Sequence, residues 1–238
     1  MRHSILLVLG AMALIVSSSA SGETESIHEE IPWKGEKLVE VEIDFGAGDL
    51  TLSAGSGDLL LDADIETPED APRPKILYQV QDGVGKLRLK SEKRERHHWR
   101  WPRRSRWELR FSDKVPLTFE INMGANKGRL NFTDLRVRNL AINIGASSTE
   151  ILFSKPNPEI LERIEINAGA ARVRAKGLGN ANFERLTFEG GVGFYTLDFR
   201  GKLEREADVD ISMGVAQLTM LIPEKVGTRI KKETPLSA

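Results

Sequence analysis

Large apolar residues recur at every second position in short runs along this chain, and glycines punctuate the runs. Anchored on Gly46, Gly83, Gly124, Gly145, Gly169, Gly191 and Gly214, the positions five and three residues earlier read Val41/Ile43, Tyr78/Val80, Phe119/Ile121, Leu140/Ile142, Ile164/Ile166, Leu186/Phe188 and Val209/Ile211. All are large and apolar. The residues between them are mostly polar (Glu42, Gln79, Glu120, Glu165, Thr187, Asp210), with Ala141 the exception. This is the alternation of a strand with one buried face. The residue after each glycine is Ala or Val throughout.

Beyond the glycine the apolar pair returns four and six residues on in Leu50/Leu52, Leu87/Leu89, Val173/Ala175 and Leu218/Met220, and six and eight residues on in Leu130/Phe132, Ile151/Phe153 and Leu197/Phe199. A displacement of two keeps these side chains on one face, whereas a displacement of one would turn them to solvent. From Gly124 to Gly214 the glycines are 21, 24, 22 and 23 residues apart, a spacing that signals a solenoid. Each unit alone exposes an apolar face that stacking buries. The pattern predicts an all-β solenoid of about seven repeats with Gly-Ala/Val turns. Leu135–Val137, Leu178 and Leu203 leave room for a third short strand, and only Pro158 to Arg163 has the makings of a helical turn. A β-sandwich of glycine-turn hairpins is the competing architecture.

The first three anchors stand further apart, 37 and then 41 residues, which marks two insertions. Residues 66–74 (ETPEDAPRP) are acidic and carry three prolines that cannot donate to a ladder. Residues 90–110 hold nine Lys and Arg against three Glu, a net +6 in a chain of formal charge -1, together with Trp99, Trp101 and Trp107. Ahead of the repeats, Met1-Arg2-His3, the apolar run Ile5 to Val16 and the small residues Ser17 to Ala20 read as a secretory signal peptide over residues 1–20. The apolar run is too short to span a bilayer. Residues 21–38 are then an N-terminal extension and 39–238 a single solenoid domain, exported to the periplasm or secreted. The chain has no cysteine, which removes disulfides, a thiolate nucleophile and a lipidated cysteine.

From Trp107 to Pro223, the segments WELRFSDKVPLTFEINMGAN, LRVRNLAINIGAS, IEINAGAARVRAKGL, FEGGVGFYTLDFRG and ISMGVAQLTMLIPEKVG follow in order, and FGAGDLTLSAG precedes them. In this run the chain resembles the toast-rack family of bacterial cell-envelope proteins, which is similar to LiaF-like extracellular domains and to adhesin candidates. The resemblance implies a right-handed β-helix-like fold and an envelope role in stress sensing or adhesion, with no catalytic residues to carry over. Many relatives carry membrane helices or a lipid anchor, and this chain shows neither.

Candidate chemistry is sparse. FGAGDL lacks the third glycine of a dinucleotide loop and is followed by strand, and Gly190-Gly191-Val192-Gly193 has Tyr195 where a calcium repeat needs Asp. His28, His97 and His98 read as solvated loop residues, and adjacent His97 and His98 would point to opposite faces. Asp198 and Asp210 lie one residue from core positions and are expected outside as solubilising charges. No hydrolase triad, metal or cofactor signature occurs, so the chain reads as non-catalytic. The expected function is a binding, envelope-stress or adhesion module. Arg94, Arg96, Trp99, Arg100, Trp101, Arg103, Arg104 and Arg106 are its candidate contact residues. Cations interleaved with amphipathic aromatics suit anionic lipid, lipopolysaccharide or an acidic envelope glycan, and export argues against nucleic acid. A solvated loop, with Trp107 packed in the next strand, is the bland alternative. A self-assembling structural protein, joined end to end through an uncapped last coil, and a polysaccharide-active β-helix enzyme are the alternative functions. Two residues before each glycine stand Asp44, Gln81, Asn122, Asn143, Asn167, Glu189 and Ser212. Stacked coils would join the three asparagines into an amide ladder; otherwise they are water-exposed turn residues.

Overall fold

The alternating runs become twelve strands. The computed structural model describes residues 24–55, 57–68, 74–91 and 104–231. The strands are β1 (Thr24–Pro32), β2 (Leu38–Ala54), β3 (Leu59–Pro68), β4 (Pro74–Gln81), β5 (Val84–Ser91), β6 (Ser105–Phe111), β7 (Pro116–Asn131), β8 (Arg136–Leu152), β9 (Leu161–Lys176), β10 (Phe183–Asp198), β11 (Asp208–Met213) and β12 (Ala216–Leu221). Strands β2 and β7 to β10 run through their glycines, so each has a half before the glycine and a half after it. They stack in parallel in the order β2, β7, β8, β9, β10, and β11 with β12 adds a last rung whose two halves are separate strands. Parallel stacking of this kind is solenoid-like, not a sandwich of hairpins.

The register is constant on both sides of the glycine. Val41, Phe119, Leu140, Ile164, Leu186 and Val209 form one column, and Leu52, Leu130, Ile151, Ala175, Leu197 and Met220 another. The two-residue displacement expected downstream is therefore not a displacement. Gly128 and Thr149 take the inward position that Leu50, Val173, Tyr195 and Leu218 take elsewhere, and two of the rungs concerned reach one position further, to buried Phe132 and Phe153. Both halves enclose one core, in which Phe111, Phe119, Phe132 and Phe153 touch in sequence at centroid separations of 5.2, 5.5 and 5.3 Å. Aromatic contacts of this geometry add to the area that the rings bury.

Gly83 is a correction to the repeat assignment. It closes the β4–β5 hairpin, with Asp82 and Gly83 at φ 53° and 79°, as a two-residue turn of the primed type requires. Leu87 and Leu89 consequently sit beside Val41 and Ile43, before the corner, and Tyr78 and Val80 belong to a capping strand. The matching second half is β6, whose Trp107 and Leu109 pair with Leu50 and Leu52. Among the described residues β5 and β6 together make the first of seven rungs. The first rung is thus formed by residues that follow β2, the second rung, in the chain.

At this end β4 pairs antiparallel with β5, and β1 and β3 add antiparallel strands beyond β6. Residues 24–32, expected within an extension, are thereby part of the sheet. Glu66 to Pro68 and Pro74, assigned to the first insertion, are strand residues as well. The third side of the coil is made of turns, not of a third strand. There Asn157, 5 % exposed, donates to the carbonyls of Val137 and Ala181 at 2.7 and 3.2 Å and so staples three rungs. Pro158 to Arg163 is not helical; the short 3-10 turn is Leu178–Ala181. Among the described residues no helix is long and apolar enough to cross a membrane.

Candidate functional site

The glycine column follows from close approach between rungs. A Cβ on Gly124 would lie 2.4 Å from the Gly46 carbonyl oxygen, one on Gly145 2.9 Å from that of Gly124, and one on Gly191 2.7 Å from that of Gly169. Only hydrogen fits there. Beside the column the polar residues two positions earlier stack at the strand spacing. Asn122 donates to Asp44 at 2.9 Å, Asn143 to Asn122 at 2.8 Å, and Asn167 to Asn143 at 2.9 Å. The asparagines are therefore a ladder. The Asp44 carboxylate only accepts, so Asn122 must turn its amide nitrogen toward it, and this sets the polarity of every amide above. Lys90 closes the lower end, 3.0 Å from Asp44 and 2.6 Å from Glu42. At the upper end stands Glu189, whose carboxylate has no proton to donate, and the ladder stops.

Ladder and glycines line a groove of about 1060 Å³ that runs along the stack from Ser91 to Ser212 and Gly214. Asn143 is the middle link, so Asn143→Ala should remove two side-chain hydrogen bonds and lower stability by about 1–3 kcal/mol, given about 0.5–1.5 kcal/mol for each. Asn143→Asp should cost at least as much at neutral pH, since a carboxylate cannot donate to Asn122. Chemical denaturation of both variants checks this; unchanged midpoints would mean the amides are individually solvated.

The described residues that flank the second insertion lie at the foot of this groove. Ser91 lines the groove and ends β5, and Ser105, facing Gly48, begins β6. Arg94, Arg96, Trp99, Arg100, Trp101 and Arg103 lie outside the described residues, as do His97 and His98. Arg104 is exposed, and Arg106 is exposed in β6 with its guanidinium 3.3 Å from Glu66, a surface pair that contributes little. Lys90 and Arg110, counted in the basic surplus, are used within the fold: Arg110 makes a forked pair with Asp62 at 2.8 and 3.0 Å and also binds Asp64. Trp107 is 1 % exposed and meets Phe45 edge to face at 5.2 Å, so it is a core residue.

Two expectations about titratable groups are corrected. His28 is in β1, not a loop, and its Nδ1 is 2.8 Å from Asp64, which raises its pKa above the ordinary imidazole value. His28, Asp62 and Asp64 gather ligand-type atoms within 4.8 Å, but the Arg110 guanidinium already engages both carboxylates and keeps Asp64 below the usual range. A cation would have to displace it. Asp198 is 7 % exposed, not a solubilising charge, because Arg200 folds back on it with bonds of 2.8 and 2.7 Å that lower its pKa. Asp210 is exposed as expected.

Comparison with known proteins completes the picture. The family described as the N-terminal domain of toast-rack matches residues 17–174 and, in a second match, residues 155–221. The chain belongs to the toast-rack family. A candidate cell-adhesion protein of Clostridium sporogenes has the same fold, with a TM-score of 0.61 and 15 % identity over 83 % of this chain and 98 % of that one. A candidate adhesin of Bacteroides fragilis aligns over 83 % of this chain and 97 % of its own at 13 % identity, with a TM-score of 0.31. No curated protein matches. The overlap of the two family matches reflects the repeat itself, since one rung resembles the next.

One surface escaped the sequence reading. On the outer side of the second half-strands, Arg172 and Arg174 of β9 lie beside Phe194 and Thr196 of β10. Phe194 is 56 % exposed, and the signal that would have found it is a large aromatic on the polar phase of the alternation.

Proposed function

We propose that this toast-rack protein is an exported, non-catalytic binding module of the cell envelope that engages anionic envelope components through its basic, tryptophan-rich insertion. The observation that carries the reading is the insertion's place in the stack. Its described ends flank one corner of a hydrogen-bonded solenoid, with Lys90 bound to Glu42 on one side and Ser105 paired with Gly48 on the other. A binding loop on a rigid scaffold is a common arrangement. Lys90 and Arg110 are engaged in the fold, so the cations left to the proposed contact are Arg94, Arg96, Arg100, Arg103, Arg104 and Arg106, together with Trp99 and Trp101. Near an anionic surface each contributes about 1 kcal/mol, an effect that salt screens. The relatives supply fold-level support as adhesion candidates. Catalysis has no foothold at Asp198, whose carboxylate is held by Arg200.

Replacing Arg100, Arg103, Arg104 and Arg106 with Ser is expected to leave the melting temperature unchanged while weakening association with phosphatidylglycerol vesicles or lipopolysaccharide, most strongly at low salt. Equal association of the variant, or none by the wild type, would discard the insertion as the site. Self-assembly is a second reading. It is favoured by the last rung, whose edge strands β11 and β12 leave Met213, Met220 and Leu221 each more than a third exposed. Concentration-dependent sedimentation separates it from the first.

A further inference from the structure

The outer face of the second half-strands carries more positive charge than the fold requires. In register across β7, β8 and β9 stand Lys127, Ser148 and Arg172, and in the next row Arg129, Glu150 and Arg174. The one carboxylate among these six is taken, since Glu150 binds Lys176. Among the described residues Lys127, Arg172 and Arg174 have no acidic partner, and Arg129 reaches only the hydroxyl of Thr51, at 3.1 Å. Ser148 and Glu150 of β8 stand between the cations of β7 and those of β9, and Arg172 and Arg174 are both exposed.

These two arginines border a shallow depression of about 320 Å³, within the size range of small-ligand sites. The remaining side chains facing it are Phe194, Thr196, Gln217 and Thr219. The arginines are alternate residues of one strand, so their side chains stand about 7 Å apart on the same face. The Arg172 guanidinium carbon lies 5.7 Å from the Phe194 ring centroid, which holds the ring beside the cation while leaving it 56 % exposed. Two free guanidinium forks, one exposed aromatic face and a row of hydroxyl and amide groups are complementary to a sugar ring that bears an acid. Arginine takes carboxylate or phosphate through paired N–H groups. An aromatic ring covers the apolar C–H face of a pyranose, and Thr and Gln exchange hydrogen bonds with hydroxyls. A bilayer would use the charge and the aromatic ring but not the row of hydroxyl and amide groups.

We propose that this depression on β9, β10 and β12 binds acidic carbohydrate, with Arg172 and Arg174 on the acid groups and Phe194 against a sugar ring. The site lies on the opposite half of the coil's strands from the groove, and none of its residues belongs to the insertion. Because each charged hydrogen bond lost from such a contact is worth roughly a factor of ten, Arg172→Gln/Arg174→Gln is expected to weaken binding of hexagalacturonate to the full chain by at least about tenfold and to flatten its salt dependence. Phe194→Ala should weaken it several-fold at low and high salt alike. Neutral maltohexaose should bind far more weakly than the acid. All three substituted residues are exposed, and unchanged circular dichroism and melting confirm that each variant is folded. The Ser-substituted insertion should bind hexagalacturonate as the wild type does, which keeps this site separate from the vesicle binding assigned to the insertion. The proposal is overturned if hexagalacturonate does not bind, if the double variant binds it equally well, or if the Arg172, Arg174 and Phe194 variants affect only vesicle association.

Discussion

Replacing Trp107 with alanine is expected to lower stability by about 3–5 kcal/mol, the range for deleting a large buried aromatic. That is a large share of the 5–15 kcal/mol that holds a typical domain together. The size of the effect follows from position. Trp107 is 1 % exposed, stacks in register on Leu50, and meets Phe45 and the first rung's Leu109 and Phe111 within one cluster. It also closes the core at the end where β3 and β6 pair antiparallel, with Ile65 opposite it. The same substitution at Trp99 or Trp101 should leave melting unchanged. Thermal unfolding of the three single variants decides the matter, at roughly 2–4 °C for each kcal/mol in a chain of this length. A Trp107 variant that melts like the wild type would mean that the ring contributes to a surface and not to the core.

Gly124→Ala is expected to destabilise by about 1–3 kcal/mol, the cost of forcing an extra carbon into a packed site. Gly46→Ala should change stability by less than about 0.5 kcal/mol, as surface substitutions commonly do. The two glycines occupy equivalent places in neighbouring rungs, and the difference comes from what lies below. A Cβ on Gly124 would press on the Gly46 carbonyl oxygen at 2.4 Å, and that atom is backbone and cannot turn aside. A Cβ on Gly46 meets nothing within 4 Å among the described residues. Neither glycine has a positive φ, so conformational strain does not separate them. Denaturant midpoints of both variants give the answer directly. Equal losses would show that the glycines are needed for backbone conformation instead of close approach.

Period-2 alternation and its punctuation by glycine were enough to recover the all-β class and the inward residues of β2, β5 and β7 to β10. This works because burial of a single face imposes its rule residue by residue, and no knowledge of the neighbouring strand is needed. The asparagines could be placed in a common column for the same reason, but their bonding could not. The ladder depends on Asp44 and Lys90, which are contributed by β2 and β5 and are adjacent only because β5 and β6 pack beneath β2. Gly83 was misassigned because its local spacing imitates the repeat, and only the antiparallel pairing of β4 with β5 shows that Asp82-Gly83 is a hairpin turn. Trp107 was ambiguous between contact loop and core, since a boundary residue beside a charge run satisfies both descriptions until its partner Phe45 is known. The arginine and phenylalanine surface lay beyond reach altogether. Arg172 and Phe194 are 22 positions apart in the chain, and what brings them together is interstrand register, a property of pairs of strands that no single strand encodes.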